Sequence, residues 1–272
     1  MGKIVTSDDI MQAFGRLGIS AGDIVLIHSS LKSLGALEDG AETVVQGVES
    51  LLGKEGTLVM PTLSIIDFTN SYKTWYMDKP SDVGYLTEYF RKLPYVYRSN
   101  QATHSVAARG RKAYELTFEH TAYGPHLCPF GEYAFAESSP WVKMYKADAH
   151  IVFLGVNLTY NTMKHVVEAK FVEYLLANIQ DRAKAEEQKA KLMTFETFEK
   201  KGFWPFYSGP DMEDALQEAG LLTETVCGNA TLKRISAKQS TDFAVEQLLS
   251  APSKWYGGEV LEWIYDCMEA QK

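Results

Sequence analysis

Cysteine is scarce in this sequence. Cys128, Cys227 and Cys267 are the only three, lie far apart and show no metal-ligand or redox spacing. That usage excludes a disulfide scaffold and fits a reduced, cytoplasmic setting, with each thiol expected as a buried small hydrophobe. Long apolar runs are missing too: no stretch approaches the roughly 20 residues a bilayer crossing needs, and the N-terminus has no apolar region of a secretory signal. Positive charge is in deficit, 27 Lys and Arg against 35 Asp and Glu, a net charge of −8. Such a balance repels phosphate backbones and attracts cationic small molecules, so neither nucleic acid nor a membrane is expected as a partner. The histidines form no HExxH or similarly spaced set, which argues against a metal.

What the chain does have is core material, with 46% hydrophobic residues among 272. There is no internal repeat and no Pro/Gly/Ser linker, so one compact α/β unit over residues 1–272 is expected, as a monomer or homodimer. The opening MGKIVT meets the Met-Gly-x-x-x-Thr pattern for myristoylation at Gly2. Thr6, Ser7 and Asp8 equally suit the N-cap of a helix near 8–17, and that reading is preferred. GDIVLIHSS then reads as a buried strand, AETVVQGVESLLG as a helix and GTLVMPTLS as a second strand ended by Pro61. Strand, helix, strand predicts a parallel βαβ unit.

Residues 67–80 read as an irregular pocket wall and GYLTEYFRKL as a helix. YVYRSN and HIVFLGV read as strands, and AARGRKAYELTFEH as a helix begun after Ser105. A helix over 162–179 continues into the charged run DRAKAEEQKAKLMTFETFEKKG, expected as a solvated arm. GPDMEDALQEAGLL reads as a helix, and TETVCGNATLKRIS as a hairpin turning at Gly228-Asn229. Helices near 240–250 and 257–270 close the chain.

The chemistry concentrates in three segments. In NTMKHVVE, His165 shares a helical stripe with Val172 and Leu176 and so faces inward. Glu168, three residues on, can hydrogen-bond the imidazole and fix its proton-bearing nitrogen, which makes the other nitrogen a better base. Asn161 stands where an N-cap is expected. In the segment HSSLKSLG, Ser29, Ser30 and Ser33, the amides near Leu34 and the cationic Lys32 make a cradle for phosphate or pantetheine amides at a strand's carboxyl end. The third segment, RSNQATHSVAARG, has small residues that let a ligand approach the backbone. His104 beside Ser105 invites a serine-hydrolase reading, though no GxSxG elbow surrounds the serine. His28, His126 and His150 suit structural roles. His120 and the loop FGEYAFAESSPW, with Glu132, Glu137, Ser138 and Ser139, suit a pocket border.

In order, HSSLKSLG, GTLVMPT, RSNQATHSVAARG, FGE…SSPW, FLGV and NTMKHVVE resemble the aminoglycoside 3-N-acetyltransferases, the antibiotic N-acetyltransferase family, over most of the chain. The resemblance implies an α/β fold distinct from the common GNAT acetyltransferases, with a mixed or largely parallel central sheet flanked by helices. It implies acetyl transfer from acetyl-CoA, with no metal, to an amino group of an aminoglycoside or similar cationic small molecule. Carried over by residue, Ser29, Ser30, Leu31, Lys32, Ser33 and Leu34, with Thr103, His104, Ser105, Val106 and Arg109, would line the coenzyme A tunnel. His165 matches the family's base and Glu168 its neighbouring acid. His120, Glu132 and Asn161 are candidate substrate contacts. Where the family often reads His-Pro this chain has Gln101-Ala102, a departure that bears on substrate choice. A serine hydrolase built on Ser105 and an inactive coenzyme A-binding homologue are the alternatives.

Overall fold

The computed structural model describes residues 4–64, 73–120, 134–197, 200–201 and 206–272. Glu132, Cys128, His126 and Gly2 lie outside the described residues. Helix α1 (Ser7–Arg16) leads into β1 (Ile24–Ser29), and α2 (Ala41–Leu52) crosses to β2 (Thr57–Pro61). Then come α3 (Tyr85–Phe90), β3 (Tyr97–Arg98), β4 (Val106–Gly110), α4 (Ala113–Thr117), α5 (Pro140–Lys146) and β5 (His150–Leu154). The second half holds α6 (Lys164–Ala177), α7 (Arg182–Leu192) and the two-residue strands β6 (Glu196–Thr197) and β7 (Lys200–Lys201). Helix α8 (Gly209–Glu218), the hairpin β8 (Thr223–Cys227) and β9 (Ala230–Ser236), and helices α9 (Ala237–Ser250), α10 (Pro252–Trp255) and α11 (Gly258–Ala270) complete it.

The main sheet has seven strands in the order β3-β4-β2-β1-β5-β9-β8. Its centre is parallel, with β1 between β2 and β5, and both wings are antiparallel. Side-chain alternation sorts the strands onto two faces. Leu26, Val59, Ile151, Phe153 and Ile235 join a core with Val166, Phe171 and Leu175 of α6. Val25, Ile27, Leu58, Met60, Val152 and Leu154 join the other, with Ile10 and Phe14 of α1 and Val44 and Val48 of α2. The helices that follow neighbouring β1 and β5 therefore cover opposite faces. Their loops part above the carboxyl ends of the two strands, the crevice where open α/β sheets bind ligands.

Local chemistry matches most elements. Thr6 caps α1: Asp9 N–H donates to Thr6 Oγ1 at 3.2 Å while Thr6 N–H donates to Asp9 Oδ2 at 3.1 Å, a reciprocal box that satisfies two orphan donors. The β8–β9 turn falls at Gly228-Asn229 as expected. Leu192 is the buried residue of α7, so the charged run is largely solvated.

Two readings need correction. The segment after Ser105 begins as a strand, not a helix: Val106–Gly110 pairs along its whole length with β2. Its alanines favour helix by propensity, but Val106 and Ala108 enter one core and Ala107 the other, and burial on a pleated surface overrides propensity. In α6 the buried residues are Val166, Val167, Glu168, Phe171, Val172 and Leu175. Leu176 is only partly buried, so the inward stripe is turned away from the expected one, and Glu168 sits nearer its centre than His165.

Candidate active site

The segment from β5 to α6 delivers the central pair. Asn161 is not the N-cap of α6, which is Met163 in helical conformation. Asn161 instead accepts from the Met163 amide at 3.0 Å through its side chain, closing a turn two residues early. Helix α6 then starts tightly, with Lys164, His165 and Val166 amides donating to the carbonyls three residues back. His165 is thereby fixed in the first turn. Its Nδ1 lies 2.7 Å from Glu168 Oε2, with side-chain exposures of 12% and 0%. The i,i+3 spacing permits this contact, and the carboxylate's claim on Nδ1 leaves base chemistry to Nε2.

Among the described residues, three rings pack about the imidazole: His104 at 5.6 Å between centroids, Phe135 at 5.2 Å and Phe206 at 5.4 Å. They strip most of its water, so burial, aided by the charge of Lys164, holds the His165 pKa well below its ordinary value. Burial likewise pushes the Glu168 carboxyl well above the usual range, opposed by Lys164 and by the Tyr207 backbone amide. That amide makes no well-formed hydrogen bond to Oε1, which is buried without a partner among the described residues. The two shifts express one preference: the enclosure disfavours a net positive and a net negative pair alike, so the pair keeps one shared proton over a wide pH range. Its basic form, carboxylate with neutral imidazole, carries one negative charge. A cation arriving beside the pair favours that form.

The segment before β4 supplies the facing wall. Gln101 organises it, its buried side-chain oxygen accepting from the Thr103 amide at 2.8 Å, from Thr103 Oγ1 at 3.2 Å and from the His104 amide. His104 Nδ1 pairs with Thr103 Oγ1 at 2.9 Å, and the Trp141 indole donates to the His104 carbonyl. Burial, then His165 and His120, holds the His104 pKa well below its ordinary value, so the ring is neutral. Gln101 thus shapes the turn that presents His104, a role its sequence context did not disclose.

At the end of β1, Leu31–Leu34 form a 3-10 turn. Ser33 Oγ donates to the Ser30 carbonyl at 2.6 Å. The Asn229 amide donates to the Leu34 carbonyl at 3.1 Å. Gly155, just after β5, lies beneath this turn at φ +65°, where a Cβ would sit 1.7 Å from Ser33 Oγ. Leu34 itself is core. Ser29, Ser30, Leu31 and Ser33 are half-buried and Lys32 is exposed; with the Ser33 hydroxyl spent on the Ser30 carbonyl, the other four, not Leu34, form the loop's accessible side.

Other expected residues fall elsewhere. Arg109 pairs in register with Leu58 near the start of β2, toward the opposite end of the sheet from Ser29. Its Nε and Nη2 both donate to Glu49 at 2.6 Å. His120 is buried, with Nδ1 2.9 Å from Ser99 Oγ and Nε2 3.1 Å from the Ala134 carbonyl, and burial lowers its pKa to about 3. Both ring nitrogens are engaged within the fold. Ser139 caps α5, and Glu137 pairs with Lys146. Ser105 Oγ donates to the Thr62 carbonyl at 2.8 Å, lies 3.0 Å from Thr62 Oγ1 and accepts from Arg98 Nε at 3.2 Å. No imidazole among the described residues contacts it, and a nucleophilic serine requires such a base. Val106 is core. Among the described residues no His/Cys/Asp/Glu group is arranged to hold a metal, and no helix is long and apolar enough to cross a membrane.

Phe206 and Lys164 complete the surroundings and were not singled out by the sequence. Lys164 Nζ stands 5.0 Å from the Phe206 ring centroid and 5.9 Å from that of Tyr207. The aromatic stretch GFWPFYSG after the charged arm was the available signal.

The family profile described as aminoglycoside 3-N-acetyltransferase matches residues 26–249. The chain belongs to that family. It is similar to the SPbeta prophage-derived aminoglycoside N(3')-acetyltransferase-like protein YokD of Bacillus subtilis (strain 168), 25% identical over 278 residues, covering 92% of this chain and 94% of the relative. The structure of AAC-IIIb in binary complex with CoASH aligns at TM-score 0.70 and 19% identity, covering 94% of this chain and 100% of that one. A variant of the aminoglycoside acetyltransferase AAC(3)-IVa in complex with a gentamicin aligns at TM-score 0.71 and 22% identity, covering 100% and 98%. The seven-stranded mixed sheet flanked by helices is this non-GNAT acetyltransferase fold.

Proposed function

We propose that this acetyltransferase-family enzyme moves an acetyl group from acetyl-CoA to an amino group of an aminoglycoside or similar cationic amine, by direct transfer with His165 as general base. The observation that carries the reading is the 2.7 Å contact between His165 Nδ1 and Glu168 Oε2, set beside the crevice where the β1 and β5 loops part. Support for the two substrates comes from the CoASH-bound and gentamicin-bound relatives of the same fold and from the net charge of −8.

In this mechanism the acceptor nitrogen, as free amine, attacks the thioester carbonyl while His165 Nε2 takes a proton from it. The N–C bond forms, the C–S bond breaks, and the proton passes to the departing thiolate. Positioned base catalysis of this kind is worth roughly 10²–10⁴-fold in rate, and holding both substrates in one crevice supplies much of the remainder. Glu168 keeps Nδ1 protonated and stabilises the imidazolium as it forms. The accessible side of the loop, Ser29, Ser30, Leu31 and Lys32, suits the pantetheine arm and phosphates by its place at the switch point. Its shape is held from behind by Gly155 and the Asn229 amide.

Thiol release from acetyl-CoA, followed with Ellman's reagent over a panel of aminoglycosides and polyamines, tests the reading. Acceptor-dependent release that vanishes in His165→Ala, with acetyl-CoA still bound by calorimetry, is the expected result. Release unaffected by that substitution would remove His165 as the base.

A further inference from the structure

Lys164 stands one residue before the base and four before Glu168, so it shares the carboxyl's side of the first turn. An i,i+4 lysine would ordinarily bridge to the acid, yet Glu168 is taken by His165. The ammonium turns instead onto the faces of Phe206, 5.0 Å from its centroid, and Tyr207, at 5.9 Å. No salt bridge involves it among the described residues. Phe206 also packs on the imidazole at 5.4 Å between centroids. One phenyl ring thus touches both the ammonium and the imidazole, and no carboxylate among the described residues cancels the charge at contact.

Resting on the acetyl-transfer reading, we propose that Lys164 is a positioning residue whose charge biases the His165–Glu168 pair toward the proton-poor form in which His165 Nε2 is available as base.

Among the described residues, the titratable groups facing the pair can be named. His104, from the segment before β4, is neutral and 5.6 Å away. Tyr207, before α8, and Tyr256, after α10, are buried phenols whose pKa values are pushed well above the ordinary, so both are neutral. Lys164 is the one cation among these groups, and its charge lowers the pKa of both members of the pair. Aromatic faces suit an ammonium there, since the ring quadrupole holds it without neutralising it. At a separation on the order of 10 Å and an effective dielectric near 20, one unit charge moves a titration by about one pH unit. The same cation adds a repulsion that any charged acceptor must meet with its other amines held elsewhere.

Lys164→Met keeps the packing stem and removes the charge; Lys164→Arg keeps both. Two readouts decide. In the resting protein, ¹⁵N and ¹³C NMR titration of the His165 ring and the Glu168 carboxyl should show loss of the shared proton about one pH unit higher in Lys164→Met and unmoved in Lys164→Arg. The acid limb of kcat/KM should move up by the same amount, with little change on the alkaline plateau. A titration unmoved in Lys164→Met, in a protein with wild-type Tm, overturns the proposal. The NMR arm needs no turnover, so it separates this outcome from a failure of the acetyl-transfer reading, which would appear as undiminished activity in His165→Ala.

Discussion

Glu168 is fully enclosed while His165, 2.7 Å away, keeps a 12% opening. The acid is therefore a tether rooted in the core, and the imidazole is the part of the pair that can meet a substrate. Replacing the two should have different consequences. His165→Ala should lower kcat by at least 10²-fold with the acetyl-CoA dissociation constant within about twofold of wild type.

Glu168→Gln should lower kcat by about 10²-fold while making the protein more stable at pH 8. Burial raises the Glu168 pKa. Between the ordinary carboxyl pKa and this raised value the folded state binds more protons than the unfolded one, so stability declines as pH rises through that window. A neutral amide removes the penalty. Urea midpoints at pH 8 check this; an unchanged or lower midpoint would show that the ionised carboxyl is well compensated.

Histidines work in the opposite direction. Burial lowers the pKa of His28 and of His120 from 6.5 to about 3, so between those values the unfolded state binds more protons and stability falls as pH drops below 6.5. Near pH 5 each contributes a loss of about 2 kcal/mol. His28 stacks on Phe153 and its Nε2 is buried without a partner among the described residues, so His28→Phe should remove that residue's own share of the acid limb, about 2 kcal/mol near pH 5, and leave the share of the other buried histidines in place. A profile as steep as wild type would show that His28 titrates normally.

Gly155→Ala places a Cβ 1.7 Å from Ser33 Oγ at φ +65°. The clash and the left-handed backbone together should cost about 2–4 kcal/mol, read as a Tm lowered by roughly 5–10 °C, and the KM for acetyl-CoA should rise as the 3-10 turn is displaced. Ser33→Gly in the same chain should return part of both losses, since the two positions share one contact.

Arg109→Met separates two roles for one arginine. The bidentate bond to Glu49 is partly exposed, with side chains 22% and 31% accessible, so its loss should cost about 1 kcal/mol and leave the KM for acetyl-CoA within about twofold. A tenfold rise in KM would place Arg109 against the cofactor after all.

Much of this was legible in the residues. Short-range signals were reliable: the Thr6 cap, the strand-helix-strand of residues 23–64, the Gly228-Asn229 hairpin and the i,i+3 pairing of His165 with Glu168 all depend on neighbours within a few positions. Val106–Gly110 defeats a local reading because its partner, β2, lies far off in sequence and nothing nearby marks two alanines as sheet residues. Arg109 and His120 were expected at the site because they lie in the right segments. Sequence order does not say which end of a strand a residue occupies once that strand runs antiparallel, nor that Ser99 and Ala134 meet both imidazole nitrogens of His120. Phe206 is separated by forty residues from the ring it packs on, and only the folded chain joins them.

The Asn229 amide that grips Leu34 also sets an order of events during synthesis. Residues 29–34 leave the ribosome early, but one of their buttresses is a turn encoded nearly two hundred codons later. Until that distal hairpin has emerged and docked beside β5, the nascent loop lacks this support and cannot settle into its final form. A transcript cut short before it should therefore yield a product in which the 29–34 loop is unfinished, even though every residue of the first crossover is already present.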